Sequence, residues 1–243
     1  MPAGIQHIGS HSDTADSATY AFQGINFGNV GQGDTVLVAV GSRQAGGTAA
    51  LQSVTIAGKA ATILGEIDSG FSPSNGVAIA AAKVTATSGE VVVNYASTQV
   101  RMAMHVARVS LVDIGQPLAD TGAIAGTSAA SQSVTVDHVK DGLLVAVGLG
   151  NPLVAGLSWS GASKLGSDLL VENQITVGYA AQALTADATG QLVTLTPASA
   201  TALNLLAIVL PGLQATGGSV SNLICRPLAR SLTRSAAKPL WVS

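Results

Sequence analysis

The sequence predicts an all-β protein: two tandem β-sandwich (jelly-roll-like) domains from an internal duplication, followed by a C-terminal docking tail. Three observations predict it. Apolar runs are short, rich in Val, Ile, Thr and Ala, and broken by Gly, Asn, Ser or Asp about every 8–12 residues. No segment carries a sustained 3.6-residue apolar period. The third observation is that the chain repeats itself. Asp34-Thr-Val-Leu-Val-Ala-Val-Gly41 and Asp141-Gly-Leu-Leu-Val-Ala-Val-Gly148 agree at six of eight positions. Val54-Thr-Ile-Ala-Gly-Lys59 lies over Leu157-Ser-Trp-Ser-Gly-Ala162, and residues 75–109 align without a gap on 176–210. Two copies are too few for a solenoid, so a duplicated domain is expected.

The first copy offers strands at 19–27, 35–40, 52–56, 60–67, 77–84, 90–95 and 100–111. Val36, Val38 and Val40 alternate with Leu37 and Ala39, so that strand is apolar on both faces and calls for cover on both sides. The expected divisions are a first domain over 1–113, a linker over 114–130, a second domain over 131–212 and the tail over 213–243. Eight aromatic rings in 243 residues imply thin cores filled by Ala and Val.

Charge is scarce. Lys, Arg, Asp and Glu make up 10% of the chain, against about 25% in ordinary soluble domains. The 47% hydrophobic content excludes a disordered chain. A net charge of -2 argues against nucleic-acid binding, and the single cysteine, Cys225, excludes an intrachain disulfide. The densest apolar run, Thr201-Ala-Leu-Asn-Leu-Leu-Ala-Ile-Val-Leu210, ends at Pro211-Gly212. It is about half the length of a membrane-spanning helix, so no membrane insertion is expected. The opening Met1-Pro-Ala-Gly-Ile-Gln-His7 has no basic or apolar signal region, so a soluble cytoplasmic product is expected. A surface so poor in charge calls for cover by further copies or by partners, and a homo-oligomer joined through apolar strand faces is expected.

The tail differs in kind. Arg226, Arg230, Arg234 and Lys238 recur every fourth residue, interleaved with Ile224, Leu228 and Leu232, before Leu240 and Trp241. Residues 1–212 hold seven basic and thirteen acidic residues, whereas the tail holds four basic and none acidic. On a helix the two sets form separate stripes, so the tail is expected to anchor the chain through Ile224, Arg226, Leu228, Arg230, Leu232, Arg234, Leu240 and Trp241.

His7 and His11 have helical metal-ligand spacing, but the stretch reads as extended, where residues four apart stand about 13 Å from each other. Gly28-Asn-Val-Gly-Gln-Gly33 lacks the Lys-Ser/Thr pair and the following helix of a phosphate loop. Gly156-Leu-Ser-Trp-Ser-Gly161 is one residue too long for a nucleophile elbow. No cofactor, metal or catalytic residue is assigned, and the chain is read as non-enzymatic. Arg101, His105 and Arg108 are replaced in the second copy by Ala202, Leu206 and Val209. The fold therefore does not need them polar, and they mark a first-copy surface for a partner or an anionic ligand.

Three runs carry a family resemblance: Ala18-Thr-Tyr-Ala-Phe-Gln-Gly-Ile-Asn-Phe-Gly28, Asp34-Thr-Val-Leu-Val-Ala-Val-Gly41 and Ser53-Val-Thr-Ile-Ala-Gly-Lys-Ala-Ala-Thr-Ile63. Together they resemble a β-sandwich unit of tailed-phage virion proteins, with related units in the head spikes, fibre bases and tail appendages of gene transfer agents. The resemblance covers most of the first copy and, through the repeat, more loosely the second. It implies a structural virion protein (head spike, decoration or fibre-base subunit) that binds capsid or tail proteins and aids attachment to the host. The alternatives are a receptor- or polysaccharide-binding appendage and an envelope-degrading enzyme.

Overall fold

The computed structural model describes residues 3–29, 34–70, 74–152 and 154–213, without the side chains of 126–128. The anchoring residues expected at 224–241 lie outside them, as does part of the Gly28–Gly33 loop. The first half contributes β1 (Gly4–Asp13), β2 (Ser17–Asn26), β3 (Thr35–Gln44), β4 (Leu51–Ile56), β5 (Lys59–Ala60), β6 (Thr62–Asp68), β7 (Ser74–Lys83), β8 (Ser88–Gln99) and β9 (Arg101–Ser110). The second contributes β10 (Asp120–Ala129), β11 (Gln132–His138), β12 (Leu143–Asn151), β13 (Leu157–Ser160), β14 (Ser163–Lys164), β15 (Leu169–Val171), β16 (Ile175–Ala183), β17 (Ala188–Pro197) and β18 (Thr201–Leu210). All the described elements are strands, and no described helix is long and apolar enough to cross a membrane.

Every pairing is antiparallel, and the two halves share one strand order. The first half forms sheets β1-β9-β3-β7-β6 and β2-β8-β4-β5; the second forms β10-β18-β12-β16-β14, with β15 also on β16, and β11-β17-β13. Each half is thus a sandwich of a longer and a shorter sheet.

The two long sheets stack on each other, which makes four layers. Alternation decides which side chain enters which layer. In β3, Val36, Val38 and Val40 point into the first half's own sandwich, onto Val54, Val91 and Val93. Leu37 and Ala39 point the other way, into a core shared with Val145, Val147, Val177, Tyr179 and Ile208 of the second half. In β12, Leu144 and Ala146 in turn face Val193 and Leu195 of the outer sheet. Both long sheets are therefore buried on both faces, which is why their strands read as unbroken apolar runs.

The contacts across the middle obey a swap rule. β12 lies on β7 as β3 lies on β16; β18 lies on β6 as β9 lies on β15; β10 lies on β6 as β1 lies on β15. This is the contact pattern of a two-fold, self-complementary interface, contained in one chain. The segments that leave β9 and β18 also pair, through the Val112–Gly212 bridge and the Leu213 N–H donating to the Leu111 carbonyl at 2.8 Å.

Two expectations change. The strand faces expected to join separate copies are covered by the other half of the same chain, and residues 3–213 lie in one compact unit. Residues 120–129, expected within a linker, form β10, an edge strand on β18, while Ile114 and Leu118 pack on the shared core. That stretch is rich in Ala, Gly, Ser and Thr, and its strand conformation comes from the partner edge rather than from its own propensity.

Close approach at the seam depends on glycine. A Cβ on Gly41 would stand 2.6 Å from Val177 Cγ2 and 3.2 Å from Leu149 Cδ1. Gly41→Val is expected to force the long sheets apart and destabilise the fold by about 1–3 kcal/mol. Gly46→Val, at a site where a Cβ would meet nothing within 4 Å, serves as the control. Thermal unfolding of the two variants checks this; equal melting temperatures would contradict the close seam.

Candidate functional site

Several polar side chains bridge the seam between the halves. Asn151 Nδ2 donates to Asn75 Oδ1 at 2.8 Å and Asn204 Nδ2 donates to the Asn75 carbonyl at 2.5 Å. Arg43 donates to Gln174 Oε1. These bonds fix how the apolar faces register, a selectivity that hydrophobic contact alone does not supply.

Arg101, His105 and Arg108 do not form one open face. Arg101 Nη2 pairs with Glu172 of the second half at 2.5 Å, and Nη1 lies 3.6 Å from Asp16 and donates to the Thr14 carbonyl at 2.9 Å. Arg108, on the opposite face of β9, pairs with Asp34 at 3.8 Å and donates to Gln6 Oε1 at 2.7 Å and to the Asn29 carbonyl. His105 is 0% exposed and lies in the seam, where its ring stacks on Tyr179 at a centroid distance of 5.9 Å. The expected ligand-facing set is therefore engaged within the chain. Both copies bury this position, with Leu206 in the shared core on the other side.

A neighbouring serine and a second histidine complete a polar cluster that sequence reasoning missed. Ser10 stands directly across from His105 in the β1–β9 register, and a bulge between His7 and Gly9 turns His7 to the same face. Ser10 Oγ lies 2.9 Å from His105 Nδ1 and 3.1 Å from His7 Nε2, and His105 Nε2 lies 3.2 Å from the Val177 carbonyl. A carbonyl only accepts, so His105 Nε2 carries hydrogen. In the neutral ring Nδ1 then accepts from the Ser10 hydroxyl. Burial pushes His105 down to about 4 and also lowers His7 and His11. His11 lies on the other face of β1, its ring 5.6 Å from Phe22, so the His7/His11 spacing brings no pair together. Among the described residues no group of three or more His, Cys, Asp or Glu is placed to hold a metal ion.

A second feature lies at the end of the second half, where the loops after β11 and β16 meet. Ala119, Asp137, His138, Val139, Asp187 and Thr189 line a groove of about 430 Å³. Asp137 Oδ1 accepts from the Gly190 N–H and Asp187 Oδ1 from the Lys140 N–H, both at 2.7 Å, which fixes the rim. His138 Nδ1 is buried there with no hydrogen-bond partner among the described residues. Sequence reasoning missed this groove: Asp187 reaches Asp137 and His138 through the pairing of β11 with β17, some fifty residues along the chain.

No protein-family model matches the chain, and no curated protein sequence matches it. The Arg101 side chain is 15% exposed and its partner Glu172 51%. A pair whose carboxylate is half exposed to water stabilises by about 1 kcal/mol. Glu172→Gln, which removes this pair and leaves the other Arg101 contacts, is expected to lower stability by up to that amount at low salt and by less at high salt, measured by urea unfolding. A loss above about 3 kcal/mol would show that the pair acts as a buried one.

Proposed function

We propose that this chain is a non-enzymatic structural protein of a tailed-phage or gene-transfer-agent particle, serving as a head spike, decoration or fibre-base subunit. The observation that carries the proposal is the stacking of two like sandwiches with the apolar faces of both long sheets turned inward. Such a body keeps its form without a partner and exposes few large apolar side chains: among the described residues only Val139, Leu170, Leu192 and Leu213. The likeness of residues 18–63 to virion β-sandwich units supports the same reading, as does the separate character of the tail. Residues 213–243 attach the protein, through their apolar and basic residues, to a capsid or tail protein. Copies gather by attachment to the particle and not through their sheet faces, and the particle is where the mature protein resides.

The test is truncation after Gly212 in a particle-producing host. The truncated chain is expected to stay folded, to run as a monomer in light scattering, and to be missing from purified particles. Normal incorporation would end the anchoring role.

A second reading, a receptor- or polysaccharide-binding appendage, is favoured by the groove at Asp137, His138 and Asp187. It requires that purified chain bind host surface polysaccharide and that His138→Ala weaken that binding about tenfold or more. Equal binding by the variant would remove the groove from consideration.

A further inference from the structure

The Ser10 hydroxyl has one hydrogen to give and lies between two imidazole nitrogens, which limits how many protons the cluster can hold. With both rings neutral, His7 Nε2–H donates to Ser10, Ser10 donates to His105 Nδ1, and His105 Nε2–H donates to the Val177 carbonyl. One added proton fits on His7, which keeps its bond to Ser10 and has a backbone bond at Gly9 that favours its charged form. A second proton, on His105, does not fit. Both rings would then aim N–H groups at Ser10 Oγ, the hydroxyl would lose its acceptor, and two like charges would stand with ring centres 5.8 Å apart.

The surroundings offer little compensation. From β16 the ring meets Tyr179 and the Val177 carbonyl, and from β3 its neighbour is Ala39. Lys164 and Asp168 act on it from the β14–β15 segment with opposite signs. The Asp168 carboxylate is already engaged, Oδ2 accepting from Lys164 Nζ at 2.7 Å and from the Leu157 N–H at 2.8 Å. Its Oδ1 lies beside Gly178, on the face of β16 turned away from His105. Arg101 and Glu172, further along the same face of the seam, pair with each other. The close seating of His7 on Gly166, where a Cβ would stand 2.7 Å from the ring, leaves little room to turn aside.

We infer that His7, Ser10 and His105 form an acid-sensitive latch between the two halves, closed with zero or one proton and opened by the second. It holds edge strand β1 and the β9–β16 contact at neutral pH. Burial sets its range: His105 is pushed down to about 4 from an ordinary value of 6.5. A depressed histidine stabilises the closed form fully above its unfolded value, and that stabilisation is lost as pH falls from about 6.5 to about 4. Below that window both forms carry the proton and the loss levels off.

Hydrogen–deuterium exchange on the full chain, corrected for the intrinsic pH dependence, tests the latch. Opening of β1 and β16 is expected to rise up to about tenfold per pH unit between pH 6 and 4, and far less in His105→Leu, which copies Leu206 of the other half. Retention of the wild-type rise in His105→Leu, or no wild-type rise, would overturn the latch. Should that variant fail to fold, histidine NMR titration of the wild type decides. The latch requires β1 amides to open with the midpoint of His105; opening at the His11 midpoint overturns it.

Discussion

A sheet apolar on both faces must be covered on both sides, and this chain contains two of them. Each sandwich covers one face of its long sheet with its own short sheet; the remaining two faces, Leu37, Ala39 and Ile79 on one side and Val145, Val147 and Val177 on the other, cover each other. The hydrophobic gain scales with the area removed from water, and close packing of small side chains adds dispersion contacts to it. Gly41 and Gly65 thin the seam where Val177, Leu206 and Ile208 press in. The scarcity of charge follows, since strands buried on both faces have few positions for it. The composition therefore reports internal layering more than external partners.

An apolar face shows that it needs cover, but not whether the cover comes from the same molecule or from another. That ambiguity explains why the run Thr35–Gln44 is legible as a strand buried on both sides while its partner is not. The strands at 35–40, 52–56, 77–84 and 90–95 are legible because each is a short apolar run holding β-branched residues and flanked by turn-forming residues. Asp120–Ala129 is not, because Gly122, Ala123, Ala125 and Gly126 carry little β-propensity; hydrogen bonding to β18 makes that strand. Both halves show the same order of strands in their long sheets.

The exchange of His105 for Leu206 between the copies is visible in the sequence; the direction in which the ring faces is not. The strand alternation that places His105 opposite Met104 was visible; the layer beyond that face was not. Ser10 and His7 became neighbours of His105 only through the β1–β9 register and the bulge at His7–Gly9, and a bulge leaves no mark in apolar periodicity. The polar residues in the seam have two consequences that apolar contact cannot supply. Asn75, Asn151 and Asn204 set the register of the halves, and the imidazole–hydroxyl–imidazole chain makes their contact sensitive to protons.

The central claim is that β3 of the first half faces β16 of the second within one chain, and a disulfide across Gly41 and Val177 tests it most directly. The close approach of these two positions suits such a bond. In a chain carrying Gly41→Cys, Val177→Cys and Cys225→Ser, oxidation of dilute protein should yield a cross-linked monomer that migrates faster than its reduced form on denaturing gels, with its mass lower by the two hydrogens lost. Disulfide-linked dimers, or thiols that stay free, would contradict the layered account.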